Sequence, residues 1–380
     1  MLKLRIDPLT KKRFQRFRRI KRGYYAFVLL VVLFVLSLFS ELIANNRALF
    51  VWYEGRPYFP TYQFIPMSEF GQQDEYGFDD VETDYRRLEA EFSELRSEFD
   101  DRMKDYEGSG DVLLRNEPRY ARKANWVLMP LIPYDPYNPD FGYDTPPPNP
   151  PDRYHWLGTD GQGRDVLARL LYGFRISLVF ALLLIVVGQT FGTIMGSLMG
   201  YLGGRFDLFA QRVIEVWSTL PFLYVVIIIA TFFRVNVMIL VLVFALFQWL
   251  TITYYMRTEM YREKTKEYCL AARSYGASGW RIMFRHLLPN CLTPLVTFTP
   301  FFIVGAIFSL TALDYLGYGL PPPTPSWGEL IDQGLQSDNR DKVWLSLSPF
   351  VAISFTLTLV TFIGESVREA FDPKQYARYR

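Results

Sequence analysis

Few residues in this chain are placed to do chemistry. Its 380 residues include two histidines and two cysteines. His155 and His286 are separated by three long apolar runs, and no HExxH pair occurs. Neither a zinc hydrolase nor a His-activated nucleophile therefore has a constellation to work with. Gly158, Gly161 and Gly163 invite comparison with a phosphate-cradling loop, yet GxxxxGK[ST] occurs nowhere, and a turn is the simpler reading. What remains is a surface, EYCLAARSYGASGWRIMFRHLLPN, from Glu267 to Asn290. The small residues Ala271, Ala272 and Ser274 leave a helix backbone open to close approach. Gly276 ends that helix cheaply, because glycine accepts positive φ. A second short helix is predicted from about Ser278 to Leu287, stopping before Pro289. Arg273, Arg281 and Arg285 surround the pair. The pattern predicts a polar helix–turn–helix at a membrane face, shaped to seat in a groove of something else. The competing reading is an amphipathic loop lying on lipid headgroups.

The elements that must hold this stretch are apolar. Half the residues are hydrophobic and the mean hydropathy is +0.05, yet 21% are charged, which implies membrane spans plus a sizeable polar portion. Six runs approach the roughly 20 residues that a span needs: Tyr24–Ala44, Ile176–Gly200, Trp217–Phe233, Val237–Tyr255, Leu295–Leu316 and Leu345–Phe362. No cleavage pattern follows the first, so it reads as an uncleaved span. Residues 1–23 hold ten Lys or Arg against Asp7 alone, which puts the N-terminus in the cytoplasm. Such a basic segment beside a span is an anchor near anionic lipid rather than a nucleic-acid arm, and no nucleic-acid partner is expected. Alternation then makes 1–23 a cytoplasmic N-terminus, 24–44 the first span, and 45–175 external. It makes 176–371 the spanning core, with a cytoplasmic loop at 256–290, and 372–380 a cytoplasmic tail. The external segment holds 15 Lys/Arg against 24 Asp/Glu, and residues 256–290 hold seven Lys/Arg against three Glu; both agree with this orientation.

Within the external segment, Val81, Tyr85, Leu88, Phe92, Leu95, Phe99, Met103 and Tyr106 recur every three or four residues, a helical stripe over 81–107. Gly108-Ser109-Gly110 ends it. The simplest role is packing on its own domain. Residues 130–151 are dense in proline and read as an extended connector. The segment holds no cysteine, so no disulfide framework supports it. In the second span Gly188, Gly192, Gly196 and Gly200 share one helix face, where glycines admit a neighbouring helix. Pro221 is placed to kink the third span. Asp314 near the outer end of the fifth span is placed either to face substrate or to be solvated, and solvation is the simpler reading. A secondary transporter would show ionisable residues inside its spans. Here only Gln189 and Gln248 are deep and polar, with Glu365 near an end. A non-transporting anchor for the external domain is the other alternative.

The order of residues in the Glu267–Asn290 stretch resembles the cytoplasmic coupling loop of ABC-importer permeases of the dipeptide and oligopeptide type. That pattern is Glu-Ala-Ala, three residues, Gly, nine residues, Ile, one residue, Leu-Pro. Ala271, Ala272, Gly276, Leu288 and Pro289 match it; Leu270 and His286 stand at the Glu and Ile positions, and HxLPN is usual in the peptide branch. LGTDGQGRDVLARLLYGFRISL resembles the family's lead-in to the second span. SLTALDYLGYGLPPPTPSWGEL resembles its outer turn, with Asp314, Gly317, Gly319, Pro322, Pro325 and Trp327; Trp327 suits the membrane interface. FIGESVREAFDPK resembles its final span end. The N-terminal part is most similar to the Yej-type branch of oligopeptide and microcin C uptake. The resemblance implies an all-α polytopic fold of six transmembrane helices, one N-terminal helix plus a five-helix MetI-like core. It implies a non-catalytic subunit of the bacterial inner membrane that carries peptides. It also implies a second permease subunit, two ATPase domains that bind ATP and Mg, and an external peptide-binding protein. No cofactor or metal is expected on this chain. The coupling residues would be Glu267, Ala271, Ala272, Gly276, Ala277, Ser278, His286, Leu288 and Pro289.

Overall fold

In the computed structural model, residues 8–74, 77–105, 124–140, 142–143 and 145–371 are described, and they fall into two compact units: 1–35 with 173–380, and 36–172. The first is helical. Helix α1 (Pro8–Arg19) precedes α2 (Lys21–Leu38). A short α3 (Ser40–Ile43) and α4 (Tyr85–Asp105) belong to the second unit. The long α5 (Val166–Leu202) is followed by α6 (Gly204–Ser218), α7 (Phe222–Phe232) and α8 (Val237–Glu263). The stretch from Glu267 comprises α9 (Glu267–Ser274), α10 (Gly279–Arg281), a π-helical turn over Ile282–Leu287 and α11 (Leu288–Cys291). Helices α12 (Thr293–Tyr315), α13 (Trp327–Leu335) and α14 (Val343–Phe371) complete the unit.

Five of these helices, α2, α5, α8, α12 and α14, are long and apolar enough to cross a membrane. The third expected span is not one rod: α6 and α7 meet at a 70° bend across Thr219–Pro221, and α7 alone has 11 residues. Pro221 lacks an N–H and cannot continue α6, so the chain turns there. Counting the bent pair as one span gives six. Arg22, at the start of α2, lies 3.8 Å from Glu365 and 3.6 Å from Glu369, near the end of α14. The first span thus begins beside the end of the last, and an even number of crossings follows. The contact is close: a Cβ on Gly23 would strike the Ser366 side chain and come within 3.0 Å of the Phe362 carbonyl.

The glycine face of α5 packs on α8 of the same chain. A Cβ at Gly192 would lie 2.6 Å from the Trp249 carbonyl, one at Gly196 2.8 Å from Met256 Cβ, and one at Gly200 2.6 Å from the Arg257 carbonyl. At Gly188 the nearest atom, on Gln248, would be 3.6 Å away, an ordinary contact. Thr253 Oγ1 donates to the Gly192 carbonyl at 3.2 Å, and Lys264 Nζ to that of Gly200 at 2.8 Å. Both bonds need the backbones this near.

The second unit contains a three-stranded antiparallel sheet, order β2-β1-β3, with β1 Phe50–Tyr53, β2 Arg56–Tyr58 and β3 Trp126–Leu128. Glu54 and Gly55, both with positive φ, make the β1–β2 turn. One face of the stripe on α4 is buried here: Tyr85, Leu88 and Phe92 join Val51, Tyr53, Ile65 and Phe70 in one core. The helix begins at Tyr85 rather than 81, and Val81 is exposed ahead of it. Tyr106 and Gly108–Gly110 lie outside the described residues.

Candidate functional site

The Glu267–Asn290 stretch is seated by its inner face. Cys269, Ile282, Met283, Leu287 and Cys291 are buried against Ile252, Met256 and Met260 of α8. Gly276 has φ +76°, and its N–H and that of Ala277 close back on the carbonyls of Arg273 and Ala272 at 3.0 and 3.1 Å, so the glycine caps α9. The second helical part does not stop before Pro289. The π turn resets the ladder, and Pro289 falls in the first turn of α11, where its missing N–H costs nothing. His286 is half-buried and its carbonyl accepts from Asn290 Nδ2 at 2.8 Å.

Of the two alanines, Ala271 is exposed, whereas Ala272 is half-buried against the inner cluster. Glu267 is exposed at the start of α9, as are Gly276, Ser278 and Pro289; Ala277 and Leu288 turn inward. The acid that ties the stretch down is one that no sequence motif singles out. Glu263, buried at the last turn of α8, accepts from Lys266 Nζ at 2.6 Å and from Tyr268 Oη at 2.8 Å. Earlier on α8, Arg257 donates twice to Asp207 of α6, at 2.5 and 2.7 Å, and Tyr261 Oη adds a third bond at 2.8 Å. Glu263 thus ties α9 to α8, and the Asp207 clasp ties α8 to α6. The outward surface is apolar and basic: Tyr275 is 91% exposed and Trp280 65%, with Leu270, Phe284, Arg273, Arg281 and Arg285 around them. Trp280 and Phe284 stack with ring centroids 5.5 Å apart.

The turn between α12 and α13 is a packed structure. Asp314 is not a solvated turn residue: it is buried, accepting from the Leu320 N–H at 2.7 Å and Ser326 Oγ at 2.5 Å. A Cβ at Gly319 would collide with the Asp314 carboxylate, and Gly317 takes φ +76°. Pro322 is exposed and Pro325 buried. Trp327 does not lie at an interface with lipid. It is 2% exposed, packed where a Cβ on Gly173 would approach its ring to 2.8 Å and beside Phe174, with centroids 6.2 Å apart. The indole fills a hole that a glycine leaves, and that burial outweighs its preference for headgroups.

His155 lies in the other unit and is fully buried. Its Nδ1 is 2.7 Å from Asp165 and its Nε2 3.2 Å from Asp140; Arg86 of α4 holds both oxygens of Asp140 at 2.9 Å. Burial alone would lower the imidazole's proton affinity, but the two carboxylates outweigh it and raise the pKa to about 9. Burial pushes Asp140 up, yet His155 and Arg86 hold it well below the ordinary carboxylate range. The group is an ionic clamp. Among the described residues, no three His, Cys, Asp or Glu converge as a metal site.

Residues 192–375 match the family described as "Binding-protein-dependent transport system inner membrane component". The "Inner membrane ABC transporter permease protein YejE" of Escherichia coli (strain K12) is 38% identical over 371 residues, covering 98% of this chain and 99% of that protein. The chain belongs to this permease family. The permease is also 39% identical to the "Peptidoglycan transport system permease protein YejE" of Agrobacterium fabrum, over 98% of this chain and 95% of that one. Against the "Oligopeptide transport system permease protein OppC" of Haemophilus influenzae the identity is 34%, over 58% of this chain and 71% of the relative. Family membership and the spanning helices make the permease a multi-pass inner-membrane protein.

Proposed function

We propose that this permease is the spanning subunit of an ATP-driven importer of peptides, and that Glu267–Asn290 is where its ATPase partners drive it. The observation that carries the reading is the two-faced coupling stretch. Its inner face is locked to α8 by an apolar cluster and by Glu263, while Tyr275 and Trp280 stand out among arginines. Aromatic and Arg side chains of that kind are the usual anchors of protein interfaces. ATP and Mg would sit on the partners, because this chain carries no nucleotide-binding motif. Closure of the ATPases would move the stretch and switch the cavity between outward and inward access. The basic α1 and its neighbouring α14 end would then be cytoplasmic, and an external binding protein would deliver cargo to the opposite face. A second permease subunit completes the pathway. The relatives named for oligopeptide and peptidoglycan transport favour a peptide cargo, with peptide antibiotics such as microcin C within that class.

Alanine at both Tyr275 and Trp280 should weaken ATPase binding by about 2 kcal/mol per anchor, roughly 30-fold each. The variant should still reach the membrane, since neither side chain supports the inner cluster. The measurement is ATPase co-purification and uptake of binding-protein-delivered peptide. Full ATPase recovery with normal uptake in the double variant would remove this stretch as the drive point.

A further inference from the structure

Three side chains on one face of α5 each carry a polar atom that pairs with nothing: Gln189 Nε2, Thr193 Oγ1 and Ser197 Oγ. They are four residues apart, so they form a stripe about 12 Å long. Gln189 is 5% exposed, Thr193 7% and Ser197 1%. Threonines elsewhere in the spans turn back to their own helix: Thr253, Thr311 and Thr356 donate to the carbonyl four residues earlier at 2.8–2.9 Å. Thr193 and Ser197 do not. Gln189 meets Thr299 of α12, whose single hydroxyl proton is shared between the Leu295 carbonyl at 2.7 Å and Gln189 Oε1 at 3.2 Å. Turning the amide over lets Gln189 donate to Thr299 Oγ1 and orphans its carbonyl end instead. Less than 1 Å² of each unpaired atom is open, too little to meet a water molecule, a lipid or another subunit. The stripe is closed within this chain.

We infer that the Gln189–Thr193–Ser197 face of α5 is a seam that is shut in this structure and that parts from α12 to meet water when the partner ATPases act. Orphaned polar groups at membrane depth disfavour the state that keeps them dry. Polar side chains within spans face the bundle interior or a water-filled space; these face the interior and find no partner there. Two further observations fall on the same seam. Opposite the stripe α12 is weakened: Pro300, buried next to Thr299, has no N–H for the Val296 carbonyl. Both walls also reach the cluster that seats Glu267–Asn290, through Leu198 and Tyr201 of α5 and Leu295 and Phe302 of α12. Motion of that stretch therefore bears on both sides of the seam. The glycine face of α5 differs, because its bonds to α8 are made. The inference rests on the importer reading and names the helix face that the ATP-driven motion opens.

The test uses the full complex with its ATPases, second permease and binding protein in lipid nanodiscs. Thr193→Cys and Ser197→Cys place thiols on the stripe. Ala181→Cys is the control: it is fully buried, seven residues before Gly188 and so on the glycine face. Labelling by a small charged methanethiosulfonate is read site by site by mass spectrometry, which separates the new thiols from the buried Cys269 and Cys291. The complex is compared without nucleotide, during steady ATP hydrolysis and trapped with ATP and vanadate. Labelling at 193 and 197 should be at least tenfold faster in one of the ATP states than without nucleotide, and Ala181→Cys should change less than twofold. The double variant Thr193→Val, Ser197→Ala removes both unpaired hydroxyls at similar volume. It should raise the thermal midpoint of the nucleotide-free complex by about 2–4 °C and slow ATP hydrolysis at least threefold, because only the open state loses partners. Labelling that stays slow in every state overturns the seam, as does labelling already fast without nucleotide. An equal rise at Ala181→Cys would mean that α5 loosens on all sides, and a lower midpoint in the double variant would mean that the hydroxyls are partnered when shut; each overturns it too. If the wild-type complex hydrolyses no ATP, the importer reading itself fails; if it hydrolyses ATP and the labelling does not respond, only the seam fails.

Discussion

Gly192→Ala, Gly196→Ala and Gly200→Ala should each destabilise the permease, while Gly188→Ala, four residues from the first of them, should be tolerated. The four glycines look alike in sequence and differ only in what stands opposite. At the first three positions a methyl group would press within 2.6–2.8 Å of the Trp249 carbonyl, Met256 Cβ or the Arg257 carbonyl of α8, and at Gly188 it would reach Gln248 only at 3.6 Å. Backbone carbonyls in the middle of a helix cannot swing away as a flexible side chain can. Relief therefore means moving α5 off α8, at a cost of about 1–3 kcal/mol per overpacked site. Separation would also stretch the Thr253–Gly192 and Lys264–Gly200 bonds that cross the same seam. In lipid such groups have no water to fall back on. The midpoint of thermal unfolding in detergent should drop for the three and hold for Gly188→Ala. Equal midpoints for all four would mean that α5 and α8 are not pressed together along this face.

The spans, the glycine seam and the break at Gly276 are legible because each is written locally. Apolar runs, a four-residue spacing and a residue that accepts positive φ need no distant partner to be recognised. What escapes a sequence reading is written between distant positions. β3 pairs with β1 from more than 70 residues away through strands of three and four residues, too short for alternation to stand out from the aromatic background. Glu263 escapes for another reason: it lies just outside the motif whose usual acid is replaced by Leu270, and only the fold brings Lys266 and Tyr268 onto it. Trp327 suggests a lipid interface because nothing near it in sequence announces Gly173. Asp314 suggests a solvated turn because its partners, Leu320 and Ser326, bond to it only once the turn has closed.

The unit of residues 36–172 should lose stability as pH rises from about 6.5 to about 9, through His155. In the unfolded chain the imidazole titrates near 6.5. In the folded unit Asp140 and Asp165 overcome the effect of burial and raise it to about 9. A folded-state pKa raised above the unfolded one contributes stability that is complete below the unfolded value. That contribution is lost as pH climbs through the folded value. Every tenfold gain in proton affinity on folding is worth about 1.4 kcal/mol, so the window carries on the order of 3 kcal/mol. The groups facing the ring come from several segments. Asp140 and Tyr134 belong to the proline-rich connector, Asp165 to the residue before α5, and Arg86 to α4, bound through Asp140. Tyr143 and Asp152 close the remaining side, with the His155 N–H on Asp152 at 2.6 Å. Loss of the proton removes the cation that Asp140 and Asp165 share, and the tie from α4 to the connector should loosen. Hydrogen-exchange protection factors over α4 and β3, normalised for intrinsic rates, should fall between pH 6 and pH 9 in the intact protein. In His155→Gln they should be lower at pH 6 and nearly flat across the range. Protection that is the same at both pH values in the wild type would show that the buried ring carries no charge in the folded unit.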